Sequence, residues 1–195
     1  MKRDVHYRRA KAEGYRARSA YKLIEIIEEH KILDGVTNAV DLCAAPGSWS
    51  QVLAMHLLRG KIFAVDIQTI EPIDGVVVIQ GDITAQTTVT AIVEGFDAQA
   101  DLVLCDGAPE VTGLHDLDEY FQASLIQASC SICRQILSPK GTFVTKVFTG
   151  DAPSSLLRDL KDVFETVRIV KPKSSRVASK EAFAICTDMF SVFAN

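Results

Sequence analysis

Ala39-Val40-Asp41-Leu42-Cys43-Ala44-Ala45-Pro46-Gly47-Ser48-Trp49-Ser50 decides the fold. A short apolar run with β-branched character comes first. Small residues with Pro46 and Gly47 then break it, and a helical pattern follows near 48–59. That order predicts a strand, a tight turn and a helix. Gly47 and the alanines let the backbone pass close to a ligand, and Ser48 or Ser50 caps the helix. The loop is neither G-x-G-x-x-G nor G-x-x-x-x-G-K-[ST], so it lacks the lysine and the glycines that phosphates need. It suits a ligand whose nearest part is small and zwitterionic, such as an amino-acid moiety. A bare strand–helix turn is the alternative reading of the same letters.

The rest of the chain repeats this unit. Short apolar runs at 39–43, 62–65, 76–79, 102–105, 141–147, 166–170 and 182–186 read as strands. Helical patterns fall near 48–59, 84–94, 116–137 and 153–163, after an earlier one that Ser19 caps and Asp34-Gly35 stops. Residues 1–18 show no clear periodicity. Such alternation predicts an α/β domain, a mostly parallel seven-stranded sheet with helices on both faces. Only the basic loop 171–180 separates the last two strands, so they pair antiparallel and make a mixed edge. No repeat, linker or low-complexity tract divides residues 1–195, which read as one domain with a basic N-terminal segment, 1–22.

Open α/β sheets bind ligands at the carboxyl ends of their strands. Three consecutive strands here end in aspartates: Asp66, Asp82 and Asp106. At these points a carboxylate accepts ribose hydroxyls, or Asp82 an adenine amino group. Any one of them alone is equally a helix cap. Together they outline an adenosine pocket with one carboxylate left for the reacting end. Lys146 stands in an apolar strand, where a lysine is costly unless paired or functional; a surface-facing position is the alternative. Glu181 opens the last strand and is weighed the same way, and Lys22 lies in the first helix.

Charge and cysteines narrow the class. The net charge is −4, yet residues 1–22 hold eight basic residues against Asp4 and Glu13. Arg168, Lys171, Lys173, Arg176 and Lys180 form a second basic stretch without an acid. Two basic segments on an acidic body predict a directed polyanion surface, with solvated tails as the alternative. Five cysteines without framework spacing predict reduced thiols in a cytosolic or nuclear setting. Cys130-x-x-Cys133 has no second pair and sits in an apolar helix, which favours core packing over zinc. No metal site, nucleophile elbow, secretory signal or membrane span is expected.

These residues also resemble a known family. Asp41–Ser50, Asp82, Cys105-Asp106-Gly107-Ala108-Pro109, Lys146 and Glu181 are similar to the FtsJ/RrmJ family of RNA 2′-O-ribose methyltransferases. The likeness runs from about Lys2 to Cys186. Arg16-Ala17-Arg18-Ser19-Ala20-Tyr21-Lys22-Leu23 and the run from Asp106 to Asp116 resemble its eukaryotic cytoplasmic branch, which methylates the tRNA anticodon loop. The resemblance implies a Rossmann-like fold and S-adenosylmethionine as cofactor, held by Gly47, Trp49, Asp66, Asp82 and Asp106. It implies a catalytic tetrad of Lys22, Asp106, Lys146 and Glu181, with Lys146 as proton acceptor. It also implies a tRNA substrate, a cytoplasmic setting, and a separate auxiliary protein, often a β-propeller, that directs the target nucleotide. In the basic loop Val177-Ala178 departs from the family's more polar pair. Arg16, Arg18, Lys173 and Arg176 are the expected RNA contacts. Methylation of ribosomal RNA or of a cap, or a non-catalytic RNA-binding module, are the rival functions. A cap enzyme wants an aromatic slot that the sequence does not show.

Overall fold

Two helices open the chain, α1 (Val5–Ala12) and α2 (Ala20–His30). Then follow β1 (Ala39–Leu42), α3 (Ser48–His56), β2 (Ile62–Asp66), β3 (Val76–Gln80), α4 (Gln86–Gly95), β4 (Ala100–Cys105), α5 (His115–Ile136), β5 (Leu137–Phe148), α6 (Ser155–Lys161), β6 (Phe164–Val170) and β7 (Glu181–Met189). The structure, a computed structural model, describes residues 5–96, 99–107, 115–148, 155–176 and 179–190, with backbone only for 115–119 and 155. Lys2 and Arg3, most of the 106–116 motif and Val177-Ala178 lie outside the described residues.

The strands form one sheet in the order β3-β2-β1-β4-β5-β7-β6. β1 pairs in parallel with β2 and β4, β2 with β3, and β4 with β5. β7 runs antiparallel to both β5 and β6. The antiparallel strand therefore lies at the expected end of the sheet, inserted between β5 and the outermost strand β6. The strand order reverses between β1 and β4, so the crevice beyond their carboxyl ends is the favoured ligand position.

Two cores cover the two faces. Leu23 and Ile26 of α2 and Trp49, Val52 and Leu53 of α3 pack on Leu102, Leu104, Val144, Phe183 and Ile185. Val89 and Ile92 of α4, Ile126 and Ile132 of α5, and Leu156 and Leu160 of α6 pack on Val40, Val103, Phe143 and Ala184. Alternate residues of each central strand thus face opposite cores, as the two-residue strand period requires. Cys130 and Cys133 belong to the second core and are buried thiols. No described helix is long and apolar enough to cross a membrane.

Three local expectations change. Residues 5–12 are helical although their pattern is polar, with Ala10 alone buried. Side-chain contacts with α2 fix this helix: Arg9 lies 4.7 Å from the Tyr21 ring centre, and the Tyr21 hydroxyl donates to Glu13 at 2.9 Å. Ser19 makes no side-chain cap; its hydroxyl meets that of Ser48 at 2.8 Å. The helix it precedes stops at Lys31, whose φ of 55° is left-handed, before Asp34-Gly35 is reached. Ser48 and Ser50 do not cap α3 either. Gly47 holds that position at φ 101°, and Ser50 instead donates to Asp41 at 2.6 Å.

Candidate active site

β4 and β5 run side by side with Cys105 opposite Thr145, so Asp106 and Lys146 emerge together at their carboxyl ends. Antiparallel pairing sets Lys146 opposite Phe183 and Phe148 opposite Glu181, which brings the start of β7 to the same end. α2 lies over that face and contributes Lys22, whose ammonium sits 5.8 Å from the Phe183 ring centre. Sheet topology thus assembles four residues distant in sequence.

Two ion pairs result. Lys146 Nζ lies 2.7 Å from Asp106 Oδ1 and donates to the Asp106 carbonyl at 2.6 Å. Lys22 Nζ lies 2.7 Å from Glu181 Oε1, which also accepts from the Ser175 hydroxyl at 3.1 Å. Lys22 and Lys146 are only 7% and 8% exposed, which rules out the surface-facing alternative for both. Burial raises the Asp106 carboxyl above its ordinary value, opposed by the charges of Lys146 and Lys22. Burial also acts upward on Glu181, but the Lys22 hydrogen bond and charge outweigh it and hold that carboxyl below the ordinary range.

A cavity of about 890 Å³ opens beside this cluster. Cys43 and Ala45 line it from the β1 turn, Asp66 and Asp82 from the next strand ends, and Asp106 and Lys146 from the carboxyl ends of β4 and β5. Its size is near the top of the roughly 300–1,000 Å³ usual for small-molecule sites. Asp66 is buried and ties the turn down, accepting from the backbone amides of Ala45 and Gln68 at 2.8 Å each. Asp82 accepts from the Thr84 amide at 2.8 Å and hydroxyl at 2.7 Å, which fixes its carboxylate at the wall. Both bonds fall on Asp82 Oδ1, which leaves Oδ2 for a ligand hydroxyl or amine, and each Asp66 oxygen keeps a further lone pair.

A family model described as FtsJ-like methyltransferase matches residues 15–189. The chain belongs to the FtsJ-like methyltransferase family. A human tRNA (cytidine(32)/guanosine(34)-2′-O)-methyltransferase is 52% identical over 95% of this chain and 57% of its own length. An archaeal ribosomal RNA large subunit methyltransferase E, from Methanothrix thermoacetophila, is 43% identical over 94% of this chain and 71% of its own. This chain therefore spans less than two thirds of the human relative. A solved Plasmodium falciparum structure described as a ribosomal RNA methyltransferase is 28% identical, covers 90% of this chain and 98% of its own, and superposes with a TM-score of 0.78.

Against this family pattern, two expected cofactor residues sit differently from the three aspartates. A Cβ on Gly47 would meet Ile73 at 2.8 Å and Arg16 at 2.9 Å, so protein packing as well as its positive φ demands glycine there. Trp49 is buried against Phe183 at 5.5 Å, and its indole donates to the Ser19 carbonyl at 2.9 Å. Neither residue is among those that line the cavity.

The expected RNA contacts also divide. The Arg16 guanidinium donates to the carbonyls of Pro46, Glu71 and Pro72 at 3.0, 2.7 and 2.9 Å. That geometry makes it a clamp across the family's cofactor loop instead of an outward phosphate contact. Arg18 is half-buried on the same segment. Lys173 is exposed and 3.1 Å from Glu29, and Arg176 is exposed. The basic loop folds back on α2, where the Ser174 amide donates to Glu25 at 3.1 Å.

Sequence reasoning missed three features. Asp41 stands out in the sequence only as part of the turn motif, yet it is 1% exposed and burial pushes its carboxyl up to about 8, against the lowering bond from Ser50. Tyr120 and Phe121 line the cavity, and Gln122 donates to the Lys146 carbonyl at 3.0 Å. Adjacent aromatics beside a glutamine in an otherwise amphipathic helix were the available signal.

Proposed function

We propose that this chain methylates a ribose 2′-hydroxyl of RNA, with S-adenosylmethionine as cofactor and the tRNA anticodon loop as substrate. The observation that carries the reading is the buried Lys146–Asp106 pair on the wall of the cavity, with Lys22–Glu181 beside it. The cavity suits the cofactor. Asp66 and Asp82 offer acceptors for hydroxyls and an amine at one end, and Asp106 stands at the reacting end. Trp49 contributes through its backbone N–H in the first turn of α3, where such groups lack helical partners, and Gly47 by holding the turn at the helix start, its own N–H donating to the Ala44 carbonyl at 2.6 Å. When bound, the cofactor supplies an electrophilic methyl group.

The residues of the chain do the rest. A 2′-hydroxyl is a weak nucleophile, and Lys146 Nζ is the group that accepts its proton. Asp106 holds that nitrogen in place by two contacts, and Glu181 keeps the Lys22 charge local. Positioning supplies much of the remaining rate. All four tetrad positions are filled, which speaks against a non-catalytic RNA-binding module. Anticodon-loop specificity is supported by the higher identity to the tRNA relatives than to the ribosomal ones. An auxiliary protein, a β-propeller by the family resemblance, directs the nucleotide, and the setting is cytoplasmic. Residues 1–195 act as one domain.

The test combines mapping with substitution. Total tRNA treated with the chain, a candidate β-propeller partner and S-adenosylmethionine gains 2′-O-methyl groups in the anticodon loop, read at nucleotide resolution. Gain on ribosomal RNA alone moves the substrate, and no gain on either overturns the activity. Lys146→Ala lowers kcat by about 10²–10⁴-fold, the usual contribution of a positioned base. Lys146→Arg does not rescue, since arginine keeps its proton.

A further inference from the structure

Solvent-exposed aromatic pairs are unusual on the polar face of a helix, because stacking them against water leaves a large apolar area uncovered. Tyr120 and Phe121 are 69% and 43% exposed on α5, with ring centres 5.9 Å apart at 68°. Both line the cavity that Asp106 and Lys146 close, and Ser124 and Leu125, one turn further along α5, extend the same wall. The next residue fixes their place. Gln122 is 2% exposed and donates to the backbone carbonyl of Lys146 itself. The aromatic pair is therefore held in register with the reacting nitrogen by a buried bond, not left on a free surface.

We propose that Tyr120 is a stacking platform for the base of the target nucleotide, with Phe121 as its supporting wall. This rests on the RNA reading above. To bring a 2′-hydroxyl to Lys146, a nucleotide must leave its neighbours' stack, and its base then needs a new face to lie on. RNA-binding proteins use aromatic side chains for unstacked bases in loops. A tyrosine ring gives such a face to any base, because every base has a π surface. The edge-on contact with Phe121 leaves one Tyr120 face open and limits how far the ring turns. Phe148, 40% exposed two residues beyond Lys146, adds a third aromatic at that end of the sheet.

The experiment uses the whole chain and an anticodon stem-loop RNA with 2-aminopurine at the target position. Wild-type protein quenches the fluorescent base on binding, and Tyr120→Ala loses the quench. With unmodified RNA, Tyr120→Ala raises KM by about 5- to 150-fold, the range for removing one base–aromatic stack. Tyr120→Phe and Tyr120→Trp restore both readouts. S-adenosylhomocysteine affinity by calorimetry stays within about twofold of wild type, which confirms folding and separates the base from the cofactor. A parallel loss of S-adenosylhomocysteine affinity assigns the ring to the cofactor and overturns the proposal. So does an unchanged quench and KM in Tyr120→Ala. Absence of methylation by wild-type protein overturns the RNA reading instead, and the two failures are thereby distinguished.

Discussion

Asp41 illustrates how far one residue's surroundings depart from its letter. The folded chain keeps its proton up to about pH 8, whereas the unfolded chain releases it near the ordinary carboxylate value. The contribution to stability is fully present below the unfolded value, declines as pH rises, and is lost through about pH 8. Asp41→Asn removes that dependence. We expect the variant and wild type to melt together only near about pH 4, and the variant to melt at least about 2–4 °C higher near about pH 9, the shift per kcal/mol for this size. Thermal melts of the cofactor-free protein at both values decide it; a constant difference refutes the burial argument. Lys146 was legible in the sequence because a lysine among β-formers is costly wherever it points inward. Asp41 was not, since its partner Ser50 lies in the next helix and its burial depends on packing between α3 and the sheet. The inward packing of the Trp49 ring was not legible either, because it depends on Phe183 and the Ser19 carbonyl, far away in sequence.

At the scale of elements, the turn after β1 is held from outside. Arg16 ties it to the segment at Glu71 and Pro72, and Asp66 ties it to β2. Three charge-assisted bonds to carbonyls explain why a basic residue near α2 serves the loop. Arg16→Gln weakens S-adenosylhomocysteine binding by about tenfold, the loss of one such bond at roughly 1.4 kcal/mol. It leaves the salt slope of RNA affinity unchanged. A slope smaller by about one would return Arg16 to the phosphate contacts. Every strand and helix after residue 19 was legible from period and punctuation, with ends displaced by a few residues. α1 was not, because polar helices leave no apolar stripe and this one is fixed by Arg9, Glu13 and Tyr21. Caps failed for the same kind of reason: Ser19, Ser48 and Ser50 spend their hydroxyls on tertiary partners.

For the whole molecule, charge and topology act together. The net charge of −4 conceals two basic segments, of which Lys173 and Arg176 lie in the loop that folds over α2 beside Glu181. If four to six of these residues hold phosphates, log affinity for anticodon stem-loop RNA falls against log salt with a slope of roughly −3 to −5. Filter binding across a salt series measures it, and a flat profile removes the docking surface. The fold class followed from the sequence because strand–helix alternation leaves few topologies. The insertion of β7 between β5 and β6 sets the final geometry, since only that antiparallel register carries Glu181 to the end where Lys146 stands.

The Lys22–Glu181 pair joins the second helix to the last strand, nearly the length of the chain. A polypeptide that has emerged only as far as β5 already owns every carboxylate of the cavity wall, yet Lys22 lacks its Glu181 partner and β5 a partner on its outer side. The four-residue cluster is thus assembled only once β7 has emerged and paired with β5, so that its Lys22–Glu181 ion pair forms last.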